Sequence, residues 1–208
     1  MSFSIAESCW QTAWQNKSFR IKALIGTILL LIILVCFPIF FNHIQYRQGI
    51  LLNDWLLSIL PAHNMSVMIF ICIWSTTLLA LIRSVQNPDF FLTTLYSYCL
   101  LSIFRFITIT IVALDPPVDL IPLADPLSNF FYGKSFITKD LFFSGHTSTL
   151  FLISLCLHQK KDKYFALITS IMVGILVLIQ HVHYTIDVIT SPFFALIAYK
   201  MGKKLAFF

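Results

Sequence analysis

Lys139-Asp-Leu-Phe-Phe-Ser-Gly-His-Thr-Ser-Thr149 is a polar patch between apolar runs, and its reading decides the fold. Its centre, Ser144-Gly145-His146-Thr147, has the makings of a helix start: a hydroxyl able to cap, then a glycine, with an apolar run behind them. A second patch, His181-Val-His183-Tyr-Thr-Ile-Asp187, stands at the mouth of another apolar run. Ionisable groups at such depth are expensive in a bilayer and mark functional positions by default.

Composition supports the membrane reading. Only 11% of the 208 residues are charged and 58% are hydrophobic, with a mean hydropathy of +0.85. Soluble domains carry roughly 25% charged residues, so an ordinary soluble protein is excluded. Residues 1–208 suit a single transmembrane domain. The first apolar run, Ala23–Phe41, is too long for a signal peptide and has no cleavage-like site after it, so a retained helix is expected. The five cysteines are scattered without a C-x-x-C pair and imply no disulfide framework.

A helix crossing the hydrocarbon core needs about 20 mostly apolar residues. Runs at roughly 22–41, 65–82, 91–114, 145–158, 164–180 and 186–199 are the candidates. The expected fold is therefore all-α, an integral-membrane bundle of six transmembrane helices. Residues 1–19, with Trp10, Trp14 and Phe19 at near-helical spacing, read as an amphipathic or flexible N-terminal segment. A short interfacial helix is expected around Trp55–Leu60.

In a six-helix topology ten of the basic residues fall on one side: Lys17, Arg20, Lys22, Arg83, Lys160, Lys161, Lys163, Lys200, Lys203 and Lys204. Only Arg47, Lys134 and Lys139 fall on the other, with Arg105 inside a span. The positive-inside rule then makes both termini cytoplasmic and leaves His146, His183 and Asp187 on the extracytoplasmic face, as in a bacterial inner membrane. The net charge of +5 reflects that asymmetry. It gives no sign of a nucleic-acid partner, because no basic stripe with interleaved aromatics occurs.

The chemistry-bearing residues form three groups. His146 follows Ser144 and Gly145 at a helix start, where backbone N–H groups and the helix dipole favour an anion and a glycine permits close approach. His183 and Asp187 are four apart, on one helix face; the carboxylate can hold Nδ1–H and leave Nε2 as base or nucleophile. Arg105, inside Phe91–Leu114 and about 13 Å deep by helical rise, needs an anion. That partner is either a lipid phosphate or a buried carboxylate, and either Arg105 reaches upward or the site is sunk into the bundle. In the loop before Ser144, Asp140, with Tyr132, Tyr184 and nearby phenylalanines, could hold a quaternary ammonium by charge and cation–π attraction. His181 and His183 would lack a third ligand as a metal pair. No metal and no cofactor are expected.

These residues resemble a known family. Asp140-Leu-Phe-Phe-Ser-Gly-His-Thr147, His183-Tyr-Thr-Ile-Asp-Val188 and Arg105-Phe-Ile-Thr-Ile-Thr-Ile-Val-Ala-Leu-Asp-Pro-Pro117 resemble three ordered motifs of the sphingomyelin synthases, over roughly residues 100–195. Those enzymes lie within the wider type-2 phosphatidic acid phosphatase superfamily. The resemblance implies six transmembrane helices, His183 as nucleophile, Asp187 as its orienting partner and His146 as the acid for the leaving alcohol. Ser144, Gly145, Arg105, Asp140 and Tyr184 would bind substrate. The family has a leucine where Asp115 stands, and the basic signatures of the lipid phosphatases are absent. A phosphomonoester carries up to two negative charges and calls for several arginines, whereas a diester carries one. The expectation is transfer of a headgroup, phosphocholine first, from a phospholipid donor to a lipid alcohol acceptor. The alternative is a hydrolase, a lipid phosphatase or phospholipase C-like enzyme with water as acceptor.

Overall fold

A bilayer interior satisfies no backbone polar group, so apolar runs of this length fold as helices that bond internally. The structure is a computed structural model and describes residues 3–123 and 137–207, with side chains from residue 9 onward. Asp125, Pro126, Tyr132 and Lys134 lie outside the described residues. Eight helices are present among them: α1 (Phe3–Gln15), α2 (Lys17–Gln45), α3 (Trp55–Ile59), α4 (Ser66–Gln86), α5 (Pro88–Ile111), α6 (Gly145–Cys156), α7 (Lys160–Ile179) and α8 (Thr185–Phe207).

Four of them, α2, α4, α5 and α7, are long and apolar enough to cross a membrane, which makes the chain an integral-membrane protein. The six expected spans all correspond to helices, but two do not meet that description. The 23-residue α8 is long enough, yet it carries Asp187 at one end and Lys200, Lys203 and Lys204 at the other. The 12-residue α6 is about 18 Å long, short of the ~30 Å core. It is short because it starts inside the bundle: the segment before it is buried at Leu141, Phe143 and Ser144.

Surface apolarity marks the lipid side. On α2, Leu24, Ile25, Leu31, Val35 and Ile39 are exposed, a pattern that water would not tolerate along a whole helix. The inner helices approach through small residues, as membrane interfaces do. At Gly202 on α8 a side chain would overlap the backbone of Ser97 on α5, so this glycine sets the closest approach of the two helices.

The ten basic residues gather at one end of the bundle. There Lys22 Nζ donates to Ala206 O at 3.1 Å, Arg83 pairs with Asp162 at 2.6 Å, and Trp10 Nε1 donates to Val85 O at 2.7 Å. The Trp10 bond joins α1 to α4, and an aromatic cluster of Trp10, Trp14, Phe19 and Phe91 fixes α1 against α2 and α5. Lys139 marks the opposite end, 2.7 Å from Asp115.

Candidate active site

Ser144 caps α6 through its own side chain: Oγ accepts from Thr147 N at 3.4 Å and from Thr147 Oγ1 at 3.1 Å. The residues before it reach this position through a turn with Phe142 at φ 58°. A non-glycine residue in the left-handed region is strained and needs its surroundings to hold it. Here they do. Phe142 O accepts from Thr108 Oγ1 at 3.1 Å, and the Phe143 ring stacks on Phe194 of α8 at 4.4 Å between centroids.

Arg105 meets this turn from α5, six residues before that helix ends and so about 9 Å below its end. Its Nη1 donates to Phe143 O at 3.1 Å, its Nη2 pairs with Asp140, and its guanidinium lies 5.8 Å from the Phe143 ring centroid. The site is thus sunk into the bundle, and the α6 start descends to Arg105. Of the two partners open for Arg105, a carboxylate is present. Two of five guanidinium N–H groups are engaged in these bonds, which leaves donors for an anion. A Cβ on Gly145 would fall within the guanidinium, so glycine is a steric requirement here.

The second half of the site comes from the α7–α8 connection. His183 Nδ1 is 3.2 Å from Asp187 Oδ2, and Tyr184 N donates to the same oxygen at 3.2 Å. Both side chains are buried, at 2% and 0% exposure. Asp187 Oδ1 has no hydrogen-bond partner among the described residues. Hydrogen bonds join the two halves: Ser144 N donates to Asp187 O at 3.0 Å, and the single Ser191 hydroxyl hydrogen is shared between Asp187 O at 2.7 Å and Ser144 O at 3.0 Å. The His146 and His183 rings consequently face each other with centroids 6.3 Å apart and planes at 63°.

A cavity of about 350 Å³ has Arg105, Asp140, Gly145 and His146 in its wall; His183 and Asp187 do not line it and lie buried behind His146. Tyr184 is elsewhere. It is buried, with its hydroxyl donating to Asp115 O at 2.9 Å and accepting from Leu52 N at 3.3 Å. It lines a separate cavity of about 310 Å³ beside Asp54 and Asp119. Asp140 and Tyr184 therefore do not share a pocket, and Tyr132, the other ring expected there, lies outside the described residues.

Three residues that hold the α7–α8 connection carry no signal in local sequence. Asp54 caps α3 and also accepts from Thr185 N at 2.6 Å and Thr185 Oγ1 at 2.9 Å, fixing the start of α8. Burial opposes its ionisation, but the bonds from Thr185, Leu57 and Leu56 outweigh that and hold its carboxyl below the usual range. His181, at φ 55°, has its Nδ1 3.0 Å from Val118 O and its Nε2 3.0 Å from Leu60 O. Gln180, fully buried, donates to Ser66 Oγ and to Ile121 O, and accepts from Met65 N. Their partners lie 59 to 131 residues away in sequence, and no local spacing announces them.

Comparison with known proteins bears on the same segment. Residues 139–204 match the family model described as PAP2 superfamily C-terminal, a span that contains His146, His183 and Asp187 but not Arg105. No curated protein and no solved structure matches the chain. The match covers about a third of the chain. Together with the four membrane-length helices, it supports a membrane lipid enzyme of phosphatase or phosphotransferase type, within the type-2 phosphatidic acid phosphatase superfamily.

Proposed function

We propose that the protein is a sphingomyelin synthase-like phosphotransferase. It moves a phospholipid headgroup, phosphocholine first, from a glycerophospholipid to the hydroxyl of ceramide or diacylglycerol. The observation that carries this reading is the buried His183–Asp187 pair facing His146 across 6.3 Å, with Arg105 against Gly145 beside it. Asp187 holds Nδ1 of His183, which leaves Nε2 to attack phosphorus. As the N–P bond forms, the bond from phosphorus to the diacylglycerol oxygen breaks and His146 gives that oxygen its proton. The acceptor hydroxyl then passes its proton to His146 and attacks phosphorus, and the N–P bond to His183 breaks.

Charge supports a diester over a monoester. Three Lys or Arg side chains stand near the site among the described residues, and each already has an acceptor. Arg105 has Asp140 and Phe143 O, Lys139 has Asp115, and Arg47 donates to Thr110 O and Val112 O at 3.4 and 3.3 Å. Arg105 is balanced by Asp140 and Lys139 by Asp115, while Arg47 meets neutral carbonyls; one cation without a carboxylate of its own suits a zwitterionic headgroup on a monoanionic phosphate better than a dianionic monoester. Asp140 is the group proposed to attract the quaternary ammonium, with Ser144 and Gly145 at the phosphate.

The basic end of the bundle faces the cytoplasm in this reading, so both termini are cytoplasmic and the site is extracytoplasmic. A cysteine replacing exposed Lys161 should resist an impermeant thiol reagent in intact cells while one replacing exposed Ser58 reacts. Activity is tested with purified protein, labelled ceramide and defined donors. Labelled sphingomyelin from phosphatidylcholine supports the reading. Cleavage of phosphatidic acid far faster than of any diester would replace it with the hydrolase.

A further inference from the structure

The cavity beside Arg105 continues away from the charged groups, between α2, α4, α5 and α6. Its two walls differ in chemistry. Leu34, Phe37 and Phe41 of α2 present only carbon, while Thr77 of α4, Tyr98 and Ser102 of α5 and Thr149 of α6 bring four hydroxyls to the other side. The hydroxyls follow from helical register. Ser102 and Tyr98 are three and seven residues before Arg105, about 4.5 and 10.5 Å further in, and Thr149 is one turn after His146. Tyr98 and Ser102 bond to each other, which satisfies part of this wall; a wall facing nothing but hydrocarbon still gains nothing from further hydroxyls at this depth, because each must then be satisfied within the protein.

The cavity also has an opening toward lipid. α2 and α4 both pack on α5 and scarcely on each other, while α1 bridges them at the basic end. Leu34, which lines the cavity, is 47% exposed on the outer surface of the bundle. Counted from the helix ends nearest the site, Phe41, Phe37 and Leu34 descend by about 6, 12 and 16 Å, the depth of one leaflet of a ~30 Å core. The volume of about 350 Å³ lies within the range of ligand sites.

We propose that this cavity is a slot for one tail of the substrate lipid, and that Thr77, Ser102 and Thr149 recognise the ester or amide that joins the tail to the lipid backbone. The inference rests on the lipid-phosphate reading of Arg105 and His146. With the phosphate held there, the linkage carbonyl falls about one helical turn deeper, level with the hydroxyls, and accepts from them. The tail then passes Ile73 and Leu34 and leaves between α2 and α4. These residues set which linkage is preferred; they do not touch the reacting atoms.

The test uses the full chain in vesicles and needs no turnover, so a failure of the transferase chemistry is seen separately. Phosphatidylcholine with a photoreactive group midway along one tail is cross-linked to the His183→Ala protein. Adducts on Phe37, Ile73 or Thr77 are expected; adducts confined to exposed residues such as Leu34, Val35 and Leu78 would overturn the slot. Diacyl and dialkyl ether phosphatidylcholine then compete for that cross-link. The ester form should win by roughly 3–10-fold, about one net hydrogen bond's worth. A Thr77→Val, Ser102→Ala, Thr149→Val protein should still cross-link at Phe37 but with a ratio near one. An unchanged ratio in that variant would remove the hydroxyls from recognition.

Discussion

Gly145 and Arg105 occupy adjoining space so tightly that a single added carbon on Gly145 would fall within the guanidinium. The first residue of α6 and a buried cation of α5 are therefore sized to each other, and the anion-attracting helix start sits directly on the arginine. Gly145→Ala must displace one of them. Overpacking of this kind costs about 1–3 kcal/mol of stability, and displacement by about 1 Å can cost 100-fold in rate. Transfer should fall by about two orders of magnitude in a protein that still folds. In an Arg105→Ala background the same substitution should cost little further stability, because the clash is gone. Thermal unfolding of the four proteins in detergent measures the coupling. Additive losses would mean that the two residues do not constrain each other.

The two histidines should fail differently. His183→Ala removes the proposed nucleophile, and no donor should restore activity. His146→Ala removes leaving-group protonation, a contribution of roughly 10²–10⁴-fold, which a p-nitrophenyl phosphodiester does not need. That donor should partly rescue His146→Ala and leave His183→Ala inert. The opposite pattern in initial rates would exchange the two roles.

Asp140 balances Arg105, so Asp140→Asn leaves a buried guanidinium with one charge too many. Removing one partner of a buried pair costs about 3–5 kcal/mol, less here because the Asp140 side chain is 24% exposed. The same change makes the pocket more attractive to a dianion. Steady-state rates should show monoester cleavage rising relative to diester transfer by about tenfold. A ratio that stays constant while both rates fall would leave Asp140 as a structural partner only.

Asp54 predicts an acid limit. Its carboxyl is held below the usual value in the folded protein, so its contribution is present above the unfolded value of about 4 and is lost as pH falls through the folded one. Asp54→Asn keeps a capping oxygen but loses the charge that strengthens the bonds from Thr185, and should be less stable than the wild-type protein at pH 7 by about 1–2 kcal/mol. The gap should begin to narrow as pH falls below about 4 and go on narrowing as pH falls through the folded value. Unfolding temperatures of both proteins from neutral pH into the acid range check this; a gap that does not narrow with acidification would contradict it.

What could be read from the chain was whatever local spacing encodes. The Ser144 cap shows in a hydroxyl before a glycine, and the His183–Asp187 bond in a separation of four. Apolar runs located all six expected helices, but not that α6 would begin inside the bundle, which depends on Phe143 stacking against Phe194 51 positions away. Tyr184 illustrates the complementary error. It adjoins His183 in sequence, yet its ring turns toward Asp115 and Leu52 and away from the Arg105 cavity. Asp54 reads locally as the cap of α3, and nothing within ten residues of it reveals Thr185. The partner of Arg105 could be narrowed to an anion because a buried cation requires one; choosing Asp140 required the fold.

In the proposed reaction His183 carries the headgroup between donor and acceptor. The direct measurement is mass spectrometry of the protein quenched during turnover with phosphatidylcholine and no acceptor. A phosphocholine adduct is expected on His183, disappearing when ceramide is added and appearing at the same rate in sphingomyelin. An adduct on His146, or turnover with no adduct on either histidine, would contradict it.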